Sequence, residues 1–88
     1  MKVGGTYLMK HSNVYYIIKI IKILKIIPND FEPIWYLVNY EYIDYSAKIY
    51  FSNGTADLNV LKSYYIIKSL NRKIWYKAVR EYCNGDSR

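Results

Sequence analysis

Cysteine and histidine each occur only once in this 88-residue chain, and proline only twice. The single cysteine, Cys83, cannot form an internal disulfide, and together with His11 it cannot supply the several Cys or His ligands of a zinc site. These absences argue against the disulfide-rich class of small secreted domains and favour a reducing compartment. We therefore predict a protein without a bound metal or cofactor.

Long apolar runs are also missing. Residues 1–13 lack the continuous apolar core of a signal peptide. No later segment approaches the roughly 20 apolar residues that span a bilayer. The chain is therefore expected to be a soluble, cytoplasmic protein with no membrane contact.

Groups for acid–base catalysis are equally scarce. His11 falls in a predicted turn, where a solvated side chain is a simpler interpretation than a catalytic base. Cys83 lies near the end of a predicted helix, where the negative end of the helix dipole disfavours a reactive thiolate. Asp30 and Glu32 fall in one predicted loop, and Glu41 and Asp44 lie three apart across a predicted strand end. All four are interpreted as solvated acids. We predict that the chain is not an enzyme.

Aromatic and basic residues, in contrast, are abundant. The chain has 12 tyrosines, 2 tryptophans and 52% hydrophobic residues, a composition that argues against disorder. Its length suits one domain over residues 1–88 with a modest core. The net charge of +6 is concentrated in the first 27 and last 31 residues, which flank an acidic middle. Such a distribution favours an anionic partner.

Residues 14–27, VYYIIKIIKILKII, carry a lysine at every third position, which fits neither the period of a strand nor that of a helix. A helix would gather Lys19, Lys22 and Lys25 into one stripe, but it would lack caps and end abruptly at Pro28. The many Val, Ile and Tyr residues favour a strand instead. A straight strand of this length would reach about 46 Å, whereas a compact chain of this size is about 30 Å across. We therefore predict a bent strand, with one bulge that places Lys19 and Lys22 on the same face.

Alternating apolar residues and turn residues predict the other elements. Asn71, followed by apolar residues at helical spacing, begins a terminal helix for which Asn84–Gly85 would be the C-cap. The predicted strands are 6–10, 14–27, 34–43, 48–52 and 63–70, with a turn at Asn53–Gly54, a loop or single helical turn at 55–61, and a helix at about 72–83. This order predicts a mainly β fold: a five-stranded SH3-like barrel over about residues 4–70 with a long bent second strand and a C-terminal α-helix.

Three aromatic patterns suggest a family. Gly5-x-Tyr7, Asn13-x-Tyr15-Tyr16-Ile17 and Trp35-Tyr36-x-Val38-x-Tyr40 resemble the small SH3-like proteins common in bacteriophage genomes, over about residues 4–70. This resemblance implies a phage accessory or host-takeover role in the cytoplasm of the host cell. It assigns no catalytic residue.

The candidate binding residues are basic or aromatic. A basic surface would form if the fold turned the strand lysines and helix cations to one side, and exposed tyrosines could stack on bases. Alternatively, the lysines only solvate the sheet and protect its edges from aggregation. Tyr and Trp are also frequent anchors of protein interfaces, although several tyrosines must fill the core. The candidates are Lys19, Lys22, Lys25, Trp35, Tyr40, Tyr42, Arg72, Lys73, Lys77 and Arg80.

Three hypotheses about function follow. The leading one is a small non-catalytic binding protein that inhibits or redirects a host protein or ribonucleoprotein, for example a component of host defence or transcription. The alternative is a nucleic-acid-binding small barrel that uses the basic, tyrosine-rich surface. A third is self-assembly through an exposed sheet edge or the helix.

Overall fold

Five antiparallel strands form one sheet in the computed structural model, which describes residues 1–86 and their side chains as far as Tyr82. The sheet is open, because the strand order β4-β3-β2-β1-β5 leaves β4 and β5 as its two edges. The mainly β class, the five strands and the C-terminal helix are confirmed, whereas closure into a barrel is not. The elements are β1 (Thr6–His11), β2 (Val14–Ile26), β3 (Trp35–Asp44), β4 (Ile49–Asp57), α1 (Leu58–Lys62), β5 (Tyr65–Leu70) and α2 (Arg72–Asp86).

Two hydrophobic clusters lie on opposite sides of the sheet. On the side that we call the α1 face, Leu61 of α1 packs with buried strand residues: Tyr7, Met9, Ile18, Ile20 and Val38. On the other side, the α2 face, helix residues Trp75 and Ala78 pack with Ile17 and Ile43. Ile17 and Ile18 are consecutive in β2 and both are buried, because each face of this part of the sheet is covered. The strand prediction for residues 14–27 is therefore confirmed over 14–26.

A β-bulge explains the lysine spacing in β2. The pairing of β2 with β3 skips one residue, Ile21. This extra residue resets the alternation, so that Lys19 and Lys22 both lie on the α2 face, as the predicted bulge requires. Lys25 lies opposite Tyr36 and therefore points to the other face of the sheet.

The molecule is more elongated than its length suggests, with extents of 50 × 24 × 22 Å. β1 pairs with β2 only as far as Lys19, so that residues 22–26 of β2 pair with β3 alone. Together with the connection at 27–34 and the first two residues of β3, these residues form an extension that we call the β2–β3 arm (residues 22–36). The expected diameter of about 30 Å is wrong along this axis, because the long strand projects from the globule instead of being confined in it.

The end of β4 differs from the prediction. Asn53–Gly54 is not a turn, since β4 runs through it and pairs with β3 on both sides of a bulge. The predicted helical turn is confirmed as α1, in which Asp57 is the N-cap and its carboxylate accepts a hydrogen bond from the Asn59 amide at 2.8 Å.

The terminal helix begins where predicted and ends later. The Asn71 side chain accepts a hydrogen bond from the Ile74 amide at 3.0 Å, as an N-cap residue does. Asn84–Gly85 is not a C-cap, because α2 continues through it to Asp86. The side chain of Cys83 lies outside the described part of the chain, so the statement about its thiol stays a prediction.

Candidate functional site

A row of aromatic rings crosses the α1 face from β1 to β4. We call this set the aromatic row; its members are His11, Tyr64, Tyr16, Tyr42, Tyr40 and Phe51. The His11 and Tyr64 rings stack with their centroids 4.4 Å apart, and the Tyr42 and Phe51 rings stack at 4.6 Å. Tyr16 lies between these two pairs, 6.0 Å from Tyr64 and 6.1 Å from Tyr42, while Tyr40 is 5.5 Å from Tyr42. Each ring is thus in contact range of the next.

Five separate elements of the chain position these rings. Tyr40 and Tyr42 share a face because successive residues of β3 alternate, and Phe51 of β4 lies directly opposite Tyr42. Tyr16 comes from β2 and His11 from the last position of β1. Tyr64 follows α1, and its amide donates a hydrogen bond to the Leu61 carbonyl at 3.1 Å.

A small cleft opens within the aromatic row. Its volume is about 100 Å³, and it is lined by Tyr16, Ile18, Tyr40, Tyr42 and Tyr64. Pockets for small organic ligands typically enclose about 300–1,000 Å³. The cleft is thus of a size to receive one apolar side chain and is too small for a whole cofactor or drug-sized substrate.

Three hydroxyls of the row have raised pKa values. Burial raises the pKa of Tyr16, Tyr40 and Tyr42 above the ordinary tyrosine value. The carboxylate of Asp44 further raises the pKa of Tyr16 and Tyr42, because a negative charge disfavours a second one nearby. These phenols therefore remain neutral hydrogen-bonding groups at physiological pH.

The candidate cations do not form one surface. Lys19 and Arg72 line a common cavity beside the first turn of α2. Lys22 lies on the same sheet face as Lys19, whereas Lys25 lies on the opposite face. The remaining cations, Lys73, Lys77 and Arg80, are exposed on α2 and do not line that cavity.

The aromatic candidates are also divided between two places. Tyr40 and Tyr42 belong to the aromatic row. Trp35 lies at the base of the β2–β3 arm, where it lines a separate cavity with Pro33 and Asp57. The ten candidate residues predicted from sequence are therefore not gathered in one place.

Four members of the aromatic row were missed in the sequence analysis. His11 was predicted to be a solvated turn residue; it is exposed, as expected, but it ends β1 and stacks on Tyr64. Tyr16, Phe51 and Tyr64 are far apart in sequence, and only the strand register and the short helix bring them together. If the pairing of β3 with β4 had been predicted from the sequence, Phe51 would have been placed beside Tyr42.

Two searches of the described residues gave negative results. No group of three or more His, Cys, Asp or Glu within them is arranged to hold a metal ion. None of the helices that they form is long and apolar enough to cross a membrane.

Comparisons with known proteins found no relative of this chain. No protein-family model, no curated protein and no solved structure matches this chain.

Proposed function

We propose that this chain is a small non-catalytic binding protein that holds a partner protein by its aromatic row. The observation that carries this proposal is the unbroken contact of six rings, four of which line a cleft of about 100 Å³. Tyrosine rings offer a large, rigid contact area with few rotatable bonds and a hydroxyl at the rim, which suits protein recognition. A single apolar side chain of the partner would enter the cleft as an anchor.

The partner's surrounding surface would meet the rings at the two ends of the row. Phe51 is 38% exposed at the β4 end, and His11 is exposed at the β1 end. The interior rings are only partly exposed, so they form the floor of the site. The row therefore combines a preformed, packed centre with accessible flanks, the usual anatomy of a protein interface.

We extend the proposal to the kind of fold and the kind of partner. Three features support an SH3-like barrel left open between β4 and β5: four consecutive antiparallel strands, one helical turn before the last strand, and the return of that strand to pair with β1. The resemblance of the aromatic patterns to small phage proteins supports a phage accessory role. The partner would then be a host protein or ribonucleoprotein that is inhibited or redirected.

Affinity capture from bacterial lysate, with and without nuclease, tests this proposal. The chain contains two phenylalanines, which provide matched variants: Phe51 belongs to the aromatic row, and Phe31, 97% exposed, lies outside it. We expect Phe51→Ser to reduce capture of the specific partner at least about tenfold, as the loss of an interface anchor does. Phe31→Ser should capture the partner as the unchanged protein does.

Either of two results would refute the proposal. One is a partner set that disappears entirely after nuclease treatment, which would mean that nucleic acid is the ligand. The other is equal capture by Phe51→Ser and the unchanged protein, provided that circular dichroism shows both to be folded.

A further inference from the structure

The cavity that Lys19 and Arg72 line is on the α2 face, away from the aromatic row. It has a volume of about 590 Å³ and is formed by the start of β1, the end of β5, Lys19 of β2 and the first turn of α2. This volume falls within the range of about 300–1,000 Å³ that is typical of sites for small organic ligands. Its walls carry charged side chains, whereas the cleft of the aromatic row is lined by tyrosines and one isoleucine.

The charged residues of this cavity are all cations. Lys2, Lys19 and Arg72 line it, and its walls within the described part of the chain contain no acidic residue. Glu41 is the cross-strand neighbour of Lys19 in β3, but it does not line the cavity. Three positive charges that converge on one space of this size favour an anionic ligand.

A tight turn holds Lys2 at the rim. The Gly5 amide donates a hydrogen bond to the Lys2 carbonyl at 3.0 Å, and Gly4 within this turn has a φ of 82°, which a residue with a side chain rarely adopts. The Lys2 amide in turn donates to the Tyr7 hydroxyl at 3.1 Å. The backbone from which this cation projects is therefore fixed to β1.

A buried hydroxyl in the cavity wall also indicates a ligand. Thr6 is only 5% exposed, and no hydrogen bond of its side chain is found within the described residues. No side-chain oxygen or nitrogen among these residues is both sealed from solvent and unpartnered, and Thr6 is one of the residues that line the cavity. Thr6 pairs with Lys19 on one side and with Leu70 on the other, in a row beneath α2. A buried hydroxyl beside a lysine, available to donate, suits an oxyanion.

The first turn of α2 adds further donors. Asn71 caps the Ile74 amide, which leaves the amides of Arg72 and Lys73 among the helix N-terminal groups without an intrahelical partner. The positive end of the helix dipole favours a negative charge at this end of α2.

Aromatic residues make this more than an anion site. Tyr76 lines the cavity and is 50% exposed. The Lys19 ammonium lies over one face of its ring, 5.2 Å from the centroid, so a stacked base would use the opposite face. Trp75 lines the same wall but is buried, so that Tyr76 is the ring available for stacking. An exposed phenol next to a cationic group can hold a nucleobase by stacking.

We propose that this cavity binds a nucleotide, with Lys2, Lys19, Arg72 and Thr6 around the phosphate and Tyr76 stacked on the base. This site goes beyond the protein-binding function proposed above and does not depend on it. The same phosphate chemistry could come from a free nucleotide or from a single nucleic-acid strand, and the ligands chosen below distinguish these two sources.

Amide NMR spectra of the full chain, titrated with inorganic phosphate, with AMP and with a short 5′-phosphorylated oligothymidylate, test the proposal. We expect AMP to shift the amides of Thr6, Lys19 and Tyr76, with affinity at least about fivefold higher than that of phosphate, because of base stacking. Tighter binding of the oligonucleotide than of AMP would identify a strand as the ligand, and equal or weaker binding a free nucleotide.

Four variants separate the parts of the site. Lys19→Gln should weaken AMP binding about tenfold or more, as the loss of a charge-assisted contact does. Thr6→Val should weaken it about threefold or more while leaving the protein at least as stable, because only an unpartnered buried hydroxyl is removed. Tyr76→Leu should reduce AMP affinity toward that of phosphate and leave phosphate binding unchanged. The control, Lys62→Gln on α1, removes the same charge outside the cavity and should leave AMP binding unchanged.

Two results would overturn the proposal. One is the absence of any shift of the Thr6, Lys19 and Tyr76 amides at millimolar AMP. The other is equal weakening by Lys62→Gln and Lys19→Gln, since binding would then follow net charge and not the cavity.

Discussion

Gly54 and Tyr40 face each other across β3 and β4, and this pair shows how a single residue shapes the candidate site. Gly54 is buried, and a methyl group at its Cα would overlap the Tyr40 ring. The ring therefore lies close over the glycine, and it also lines the cleft with Tyr16 and Tyr64. A strand glycine covered by an aromatic ring of the neighbouring strand is a recurrent arrangement that fixes the strand register.

We expect Gly54→Ala to destabilise the protein by about 1–2 kcal/mol, because the Tyr40 ring must leave its packed position. In a strand, alanine by itself gives a stability about 0.5–1 kcal/mol higher than glycine. A loss of stability would therefore be due to the ring contact. Urea denaturation gives the free energy of unfolding of both proteins.

A double-mutant cycle provides the control for this pair. In a Tyr40→Ala background the methyl group has no ring to displace, and Gly54→Ala should then be neutral or stabilising. An equal cost of Gly54→Ala in both backgrounds would show that the ring contact is not the cause.

At the scale of the elements, the local sequence pattern predicts which residues of one strand share a face. It does not predict contacts that depend on the pairing with another strand. The alternation of residues 34–43 correctly places Tyr40 and Tyr42 on one face. Asn53–Gly54 has the composition of a hairpin turn, yet it lies inside β4 because Gly54 is required beneath Tyr40. Tyr64 and Phe51 could not be assigned to the site without the strand pairing. The bulge at Ile21 was predicted from the spacing of Lys19 and Lys22, which one extra residue places on the same face.

The hairpin between β1 and β2 has a turn sequence that is not the one preferred for its backbone conformation. Ser12 and Asn13 have φ values of 50° and 65°, and the flanking residues His11 and Val14 pair directly. Positive φ at both central positions is typical of a type I′ turn, for which Asn-Gly is the preferred sequence.

The double substitution Ser12→Asn/Asn13→Gly should therefore stabilise the protein, by about 0.5–1 kcal/mol, since glycine adopts positive φ without steric cost. Thermal unfolding followed by circular dichroism would measure the change. The opposite substitution, Asn13→Ala, should lower the melting temperature because alanine tolerates positive φ poorly. If both variants melted at the same temperature as the unchanged protein, the turn would not limit stability.

At the scale of the whole molecule, the chain is a packed body with a thinner projection. The two helices cover opposite faces of the sheet near the middle of β2, and the two proposed sites lie on these opposite faces. The β2–β3 arm extends beyond this region and exposes several apolar side chains: Ile27, Phe31, Ile34 and Tyr36. A partner protein and a nucleotide could thus be bound at the same time without competing for one surface.

The arm should open without unfolding the body. Ile17 and Ile18 are buried in β2 between two paired strands, whereas residues 24–26 have a strand partner on one side only. Native-state hydrogen exchange should therefore give the hydrogen-bonded amides of residues 24–26 opening free energies about 2 kcal/mol or more below those of residues 17–19, which should match global unfolding. Because the arm contributes little to either cluster, Phe31→Ser should change the exchange of residues 17–19 by less than about 0.5 kcal/mol. Equal protection of the two segments would instead mean that the arm and the body unfold as one unit, and that the projecting strand is as well supported as the centre of the sheet.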